Sequence, residues 1–154
     1  MAERQLFLWT DAAPRTYDRA KYTYRGMSLT GALSPIQSGE LPEANQAAAL
    51  LEALLAGLQE FSGKQKQTLC VVCGCPYIIT AINQKSIAKW ESNGYRTSKN
   101  EAVKHSTLWH AVYELSRAKQ IELTARAPSG SETEIMYEMG AGYFLPHAKL
   151  TETA

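Results

Sequence analysis

The chain has 154 residues, enough for one domain with a core of its own. A net charge of +1, a hydrophobic content of 45% and a charged content of 20% exclude a disordered tail, a collagen or coiled-coil rod and a polybasic binder. The longest apolar stretch, residues 47–58, is broken by Glu52. It falls short of the roughly 20 residues a membrane-spanning helix needs, so no membrane partner is expected.

The opening MAERQLFLW has no basic region followed by a long apolar run, so no signal peptide is expected. Residues 4–9 (RQLFLW) read as a strand covered on both faces, because four apolar residues follow one another. Residues 12–19 read as a loop. Residues 20–24 and 27–33 read as two strands joined by a tight turn at Arg25-Gly26. Residues 34–44, with Pro35, Gly39 and Pro42, read as a loop.

Asn45 is the expected cap of a helix rich in Ala and Leu. Leu50, Leu51, Leu54, Leu55 and Leu58 fall on one face of it. Residues 68–73 (TLCVVC) read as a buried strand ended by Gly74, and Pro76 suits the first turn of a helix. Residues 78–90 read as mostly helical and 91–103 as a polar loop. Residues 105–118 read as a second strong helix, with Leu108, Trp109, Val112 and Leu115 on one face. Residues 120–125 read as a strand, 128–131 as a turn and 132–144 as a last helix. The tail after Pro146 is expected to fray.

The expected order is thus β-β-β-α-β-α-α-β-α, an α/β fold with a mixed sheet flanked by helices. The expected ordered core, about 4–145, is a single domain excised from a larger protein. Cys70, Cys73 and Cys75 are odd in number and crowded together. They point to a reducing, intracellular setting rather than a disulfide framework. Cys70 and Cys73 would lie on opposite faces of a strand, and no second ligand pair has zinc spacing. His105, His110 and His147 are not spaced as partners. Core or turn cysteines are therefore expected, and no metal site.

Residues 89–115, KWESNGYRTSKNEAVKHSTLWHAVYEL, resemble a block of the retroviral branch of the ribonuclease H family. The matching features are Trp90, Gly94-Tyr95, the basic loop with Lys99, Val103-Lys104-His105 and Trp109. The opening LFLWTDAA is similar to the family's first strand, and the Leu/Ala helix sits where the family has its first helix. The resemblance implies a five-stranded sheet, three strands in an antiparallel meander and two parallel. It also implies cleavage of the RNA strand of an RNA–DNA hybrid by two Mg²⁺ ions held by four acidic residues.

Carried over residue by residue, the first acid is Asp11. The second falls at Gln46 or Ala48, neither a carboxylate, with Glu43 and Glu52 flanking. The third falls at Gly74. The fourth becomes Glu138. Pro128-Ser129-Gly130 stands where the family has the Gly-His of a mobile loop. Two of four carboxylates are lost, which leaves too little negative charge for a pair of dications.

Lys85, Lys89, Arg96, Lys99 and Lys104 face only Glu91 and Glu101 in residues 85–105, a local charge of +3 with Trp90 and Tyr95 interleaved. In family members this region grips the hybrid, and cations beside aromatics suit phosphate and sugar contacts. The plainer reading is a solvated loop with Trp90 packed beneath it. The small net charge speaks against tight binding.

The expected function is that of a catalytically inactive ribonuclease H-like domain of retroviral origin. It would serve as a scaffold or interaction module for other domains of its parent protein, need no metal cofactor and bind hybrid weakly. Asp11 and Glu138 would be relics of the metal site. Host-captured retroelement genes have this character. One such setting is a vertebrate protein joining a NYN nuclease domain to ribonuclease H-like and integrase-like segments. The alternative is a divergent but active ribonuclease H that recruits Glu43 or Glu52 and uses Mg²⁺ or Mn²⁺.

Overall fold

Consecutive apolar residues in β1 (Arg4–Thr10) serve both faces of a sheet. Leu6 and Leu8 enter one core, while Phe7 enters a second one and Trp9 packs against it. The computed structural model describes residues 4–10, 20–41, 46–61, 63–96, 99 and 103–144. Asp11, Glu43, Asn45 and His147 lie outside the described residues, as does the tail after residue 144.

The other strands are β2 (Ala20–Met27), β3 (Gln37–Leu41), β4 (Gln67–Val72) and β5 (Ile121–Arg126). The sheet order is β3-β2-β1-β4-β5. β1 pairs antiparallel with β2, which pairs antiparallel with β3. β1 pairs parallel with β4, and β4 with β5. This is the expected meander plus two parallel strands.

The expected hairpin at Arg25-Gly26 is not formed. Both residues lie inside β2, with Gly26 opposite Leu6 and Arg25 opposite Phe7. The chain reverses after Met27, where Ser28 N donates to Ala32 O at 2.9 Å and Gly31 takes the left-handed φ of 89°. Residues 37–41 form strand β3 rather than a loop. Its sequence QSGEL carries little apolar signal because it is an exposed edge strand. Gly39 sits opposite Tyr22, whose ring crosses it so closely that no room is left for a Cβ.

Helices α1 (Gln46–Leu58), α2 (Pro76–Asn83), α3 (Ser86–Ser92) and α4 (Ser106–Ala118) precede the last helix, α5 (Glu132–Phe144). The single helix expected over 78–90 is two helices, broken where Lys85 turns left-handed at φ 56°. The helix–loop boundary moves accordingly, from 90 to Ser92.

The larger core lies on one face of the sheet. It joins Leu50, Leu51, Leu54 and Leu58 of α1 to Leu69, Val71, Ile78, Trp109 and Val112. The smaller core lies on the opposite face and joins Phe7, Cys70 and Val72 to Met139 of α5. Asn83 pins α2 to β5, donating to Ala125 O at 2.7 Å and accepting from Ala125 N at 2.9 Å.

Candidate functional site

The parallel strands β1, β4 and β5 end at one edge of the sheet, where open α/β sheets bind their ligands. α1 runs back against β1. Its C-terminal Gly57 lies under Leu6, with a Cβ position only 2.7 Å from Leu6 Cδ2. Near its start, Ala49 packs against Tyr22, the residue opposite Thr10. The first turn of α1 therefore stands at the carboxyl edge. β1 ends there with Thr10 Oγ1 donating to Lys21 O at 2.7 Å.

Gly74, two residues past β4, is exposed, and a Cβ built on it meets nothing within 4 Å. The backbone would accept an aspartate there without strain. Gln46 is exposed, whereas Ala48 is 2% exposed. A charge at position 48 would have to be desolvated, so Gln46 is the position suited to a hydrated carboxylate. Glu52 faces elsewhere. It lines a groove of about 630 Å³ between α1 and α4, with Tyr22, Leu55, Glu114 and Leu115. Burial, and then the charge of Glu52, push the Tyr22 hydroxyl up.

Glu138 lies on the open side of α5, and its carboxylate is engaged. Arg25 Nη1 donates to Glu138 Oε1 at 3.2 Å, and Arg25 Nε donates to Ser34 O at 2.9 Å. The guanidinium is thus held by β2 and the segment after it, and presents its free arm to the helix. Sequence reading missed Arg25 because it placed that residue in a turn. Its alternation with Gly26 in a strand facing α5 is the signal that would have found it.

At the start of α5, Glu132 is gripped by both arms of Arg126 and accepts from Gln5 Nε2 and Ser129 N, each at 3.1 Å. The Arg126 guanidinium holds the Glu132 carboxyl below its usual range.

Magnesium wants several oxygen ligands in near-octahedral geometry. The edge offers glycine at 74 and an amide at 46, and Glu138 already has a cation as partner. Among the described residues, this donor set does not fit a two-metal centre.

The cysteines lie on opposite faces of the sheet, Cys70 in the smaller core and Cys73 and Cys75 in the larger. Burial pushes the Cys73 thiol up to about 11, away from the thiolate form that binds metals.

The basic region is built on α3 and the loop leading to α4. Lys85, Lys89, Arg96, Lys99 and Lys104 are exposed. The loop is closed by Tyr95 N donating to Trp90 O at 2.7 Å and Val103 N donating to Tyr95 O at 2.8 Å. Trp90 is half-buried and packs on Trp109 with ring centroids 5.6 Å apart. It belongs partly to the core, so the cations rather than this indole form the outer surface. Trp109 is fully buried, and its Nε1 donates to Tyr77 Oη at 2.8 Å. His105 is the left-handed residue before α4, its ring 6.4 Å from that of Tyr77.

A mixed five-stranded sheet in this order, flanked by helices, has the ribonuclease H-like architecture. A sequence model of the family described as RNase H matches residues 3–126, so the chain belongs to the ribonuclease H family. That match stops at the end of β5, before the helix that carries Glu138.

The Ribonuclease H of Caldicellulosiruptor saccharolyticus is 35% identical over 72 residues, 47% of this chain and 48% of that protein. The chain thus spans about half the length of this curated relative. The solution structure of the PFV RNase H domain superposes with a TM-score of 0.65 at 15% identity, covering 88% of this chain and 89% of that one. The foamy viral protease–reverse transcriptase in complex with RNA/DNA hybrid gives a TM-score of 0.66 at 13% identity, covering 86% of this chain and 18% of that one. These likenesses show the fold.

Proposed function

We propose that this chain is a catalytically silent ribonuclease H domain of retroelement origin, captured by a host. It acts inside the cell as a folded scaffold or interaction module of a larger protein. One observation carries this reading. The carboxyl edge has no carboxylate at Gly74 or Gln46, and the acid that remains on α5 is paired with Arg25. Two dications there would face too little negative charge, and a displacement of about 1 Å already costs roughly a hundredfold in such chemistry. The module needs no metal for this role. Asp11 and Glu138 are then relics of the ligand set.

The exposed lysines around α3 give the module weak affinity for RNA–DNA hybrid, the ligand of the foamy viral structure that shares its fold. Three free cysteines suit a reducing compartment. Among the described residues no helix is long and apolar enough to cross a membrane.

The test is a cleavage assay on labelled hybrid with Mg²⁺ or Mn²⁺, run beside a Gly74→Asp, Gln46→Glu double variant. The native chain should leave the hybrid intact under both metals. Divalent-dependent cutting by the native chain that disappears in Asp11→Asn would establish the active reading instead.

A further inference from the structure

Away from the strand ends and the basic loop, the groove of about 630 Å³ between α1 and α4 stands open. The two helices build it in the same way. α1 contributes Glu52, Leu55, Ala56 and Gln59. α4 contributes Ala111, Glu114, Leu115 and Ala118. Each set has the spacing i, i+3, i+4, i+7, which is one stripe of a helix. Leu50, Leu54 and Leu58 of α1 fill the larger core, whereas Leu55, Ala56, Ala111 and Leu115 stay half-buried.

Shape and charge together describe what fits there. From Glu52 to Gln59, seven steps of about 1.5 Å give a floor about 10 Å long, two turns of an opposing helix. The alanines of the floor let a backbone come close, and Leu55 and Leu115 stand as ridges. Glu52 stands on one wall and Glu114 on the other, and no lining residue is cationic. The Glu114 side chain is 61% exposed, with His110 Nε2 at 3.7 Å. Two bases that follow it in α4 and its cap are engaged elsewhere. Lys119 Nζ donates to Gln59 O at 2.7 Å and Phe61 O at 2.6 Å, and Arg117 donates to Tyr113 Oη at 3.2 Å. A phosphate backbone or an anionic membrane would be repelled. A second copy seated about a two-fold axis would set Glu52 and Glu114 against their own counterparts.

We infer that the α1–α4 groove docks an amphipathic helix of a partner protein, apolar along the floor and bearing lysines or arginines at both edges. The site serves the interaction role proposed above and rests on that reading. Apolar anchors at i, i+3 or i+4 and i+7 of the docked helix would enter between Leu55 and Leu115. Its cations would meet Glu52 and Glu114. Charges at such a rim choose the partner and its orientation more than they add affinity.

The test is fluorescence anisotropy of a labelled synthetic helix of about 18 residues, with leucines at i, i+3, i+4 and i+7 and lysines flanking them. A matched helix carries glutamates in place of the lysines. The native chain should bind the lysine helix saturably, at least about tenfold more tightly than the glutamate helix. Glu114→Lys and Ala118→Arg, both at exposed positions that leave the fold intact, should each weaken that binding at least about tenfold. The inference is overturned if the lysine helix does not bind saturably, if the glutamate helix binds as well, or if both variants bind like the native chain. It is also overturned if sedimentation shows the native chain pairing with itself and Ala118→Arg abolishing the pair. Cutting of hybrid by the native chain would sink the silent-domain reading without moving these affinities, whereas lost helix binding with hybrid left intact would sink this inference alone.

Discussion

Arg25 Nη1 lies 3.2 Å from Glu138 Oε1 and joins the second strand to the final helix. The Glu138 side chain is 53% exposed, so the pair adds little to stability. Its effect is on any cation that approaches, because the carboxylate already has a neighbour of opposite charge. In the Gly74→Asp, Gln46→Glu background, Arg25→Gln should tighten Mn²⁺ binding measured by calorimetry. Unchanged affinity would mean that Glu138 does not face the ion.

Two glycines should respond in opposite ways to gaining a side chain. At Gly74 a Cβ meets nothing within 4 Å, so Gly74→Asp should leave stability within about 0.5 kcal/mol of the native chain. At Gly57 a Cβ would sit 2.7 Å from Leu6 Cδ2. Gly57→Ala should therefore destabilise by about 1–3 kcal/mol, although alanine is the better helix former. Urea unfolding of both variants checks the contrast.

Tyr77→Phe removes the acceptor of the buried Trp109 indole N–H, which donates to Tyr77 Oη at 2.8 Å. The orphaned donor should cost about 1–3 kcal/mol. Trp109→Phe in the Tyr77→Phe background should then cost less than in the native chain, a coupling that a double-mutant cycle would read.

Acid should weaken the attachment of α5. The Arg126 guanidinium, in the first place, lowers the Glu132 carboxyl in the folded chain. Its contribution is complete above the unfolded carboxylate value of about 4.3 and is lost as pH falls through the folded value. The melting temperature should fall on acidification below about pH 4.3, and less steeply in Glu132→Gln. Parallel slopes for the two proteins would exclude this residue as a source of acid sensitivity.

Replacing Lys89, Lys99 and Lys104 together by alanine should weaken hybrid binding. The slope of log affinity against log salt should become shallower by roughly 0.9 for each phosphate contact removed. Equal slopes in a fluorescence titration would place the hybrid elsewhere on the surface.

The elements with strong periodicity were readable from the sequence. The leucines of α1 and the Leu108, Trp109, Val112 and Leu115 face of α4 identify themselves because one face of each is buried. β3 was not, because an exposed edge strand has no apolar face to display. Gly26 misled for a related reason. A glycine in a strand looks like a turn until the partner Leu6 opposite it is known. That error hid Arg25 and with it the ion pair to Glu138.

At the strand ends, Gly74 was singled out by family resemblance alone, because nothing in its own spacing marks it; the structure adds that the position is exposed and open. The contact between Glu91 of α3 and His110 of α4 was not legible. Glu91 stands 19 residues before His110, and only the closing of the loop brings them together. The His110 and Glu114 spacing of one helical turn was the part a sequence could offer.

The smaller core under α5 has a consequence for dynamics. Phe7, Cys70 and Val72 are covered on that side by Met139 and its neighbours, while the four other helices and the larger core sit on the opposite face. α5 can therefore lift away as a cooperative unit while the remainder keeps its packing. Its amides would exchange with deuterium ahead of those in β1 and β4. Each such opening would bare Cys70 but not Cys73, so the rate of alkylation at that one sulfur would clock how often the sheet loses its cover.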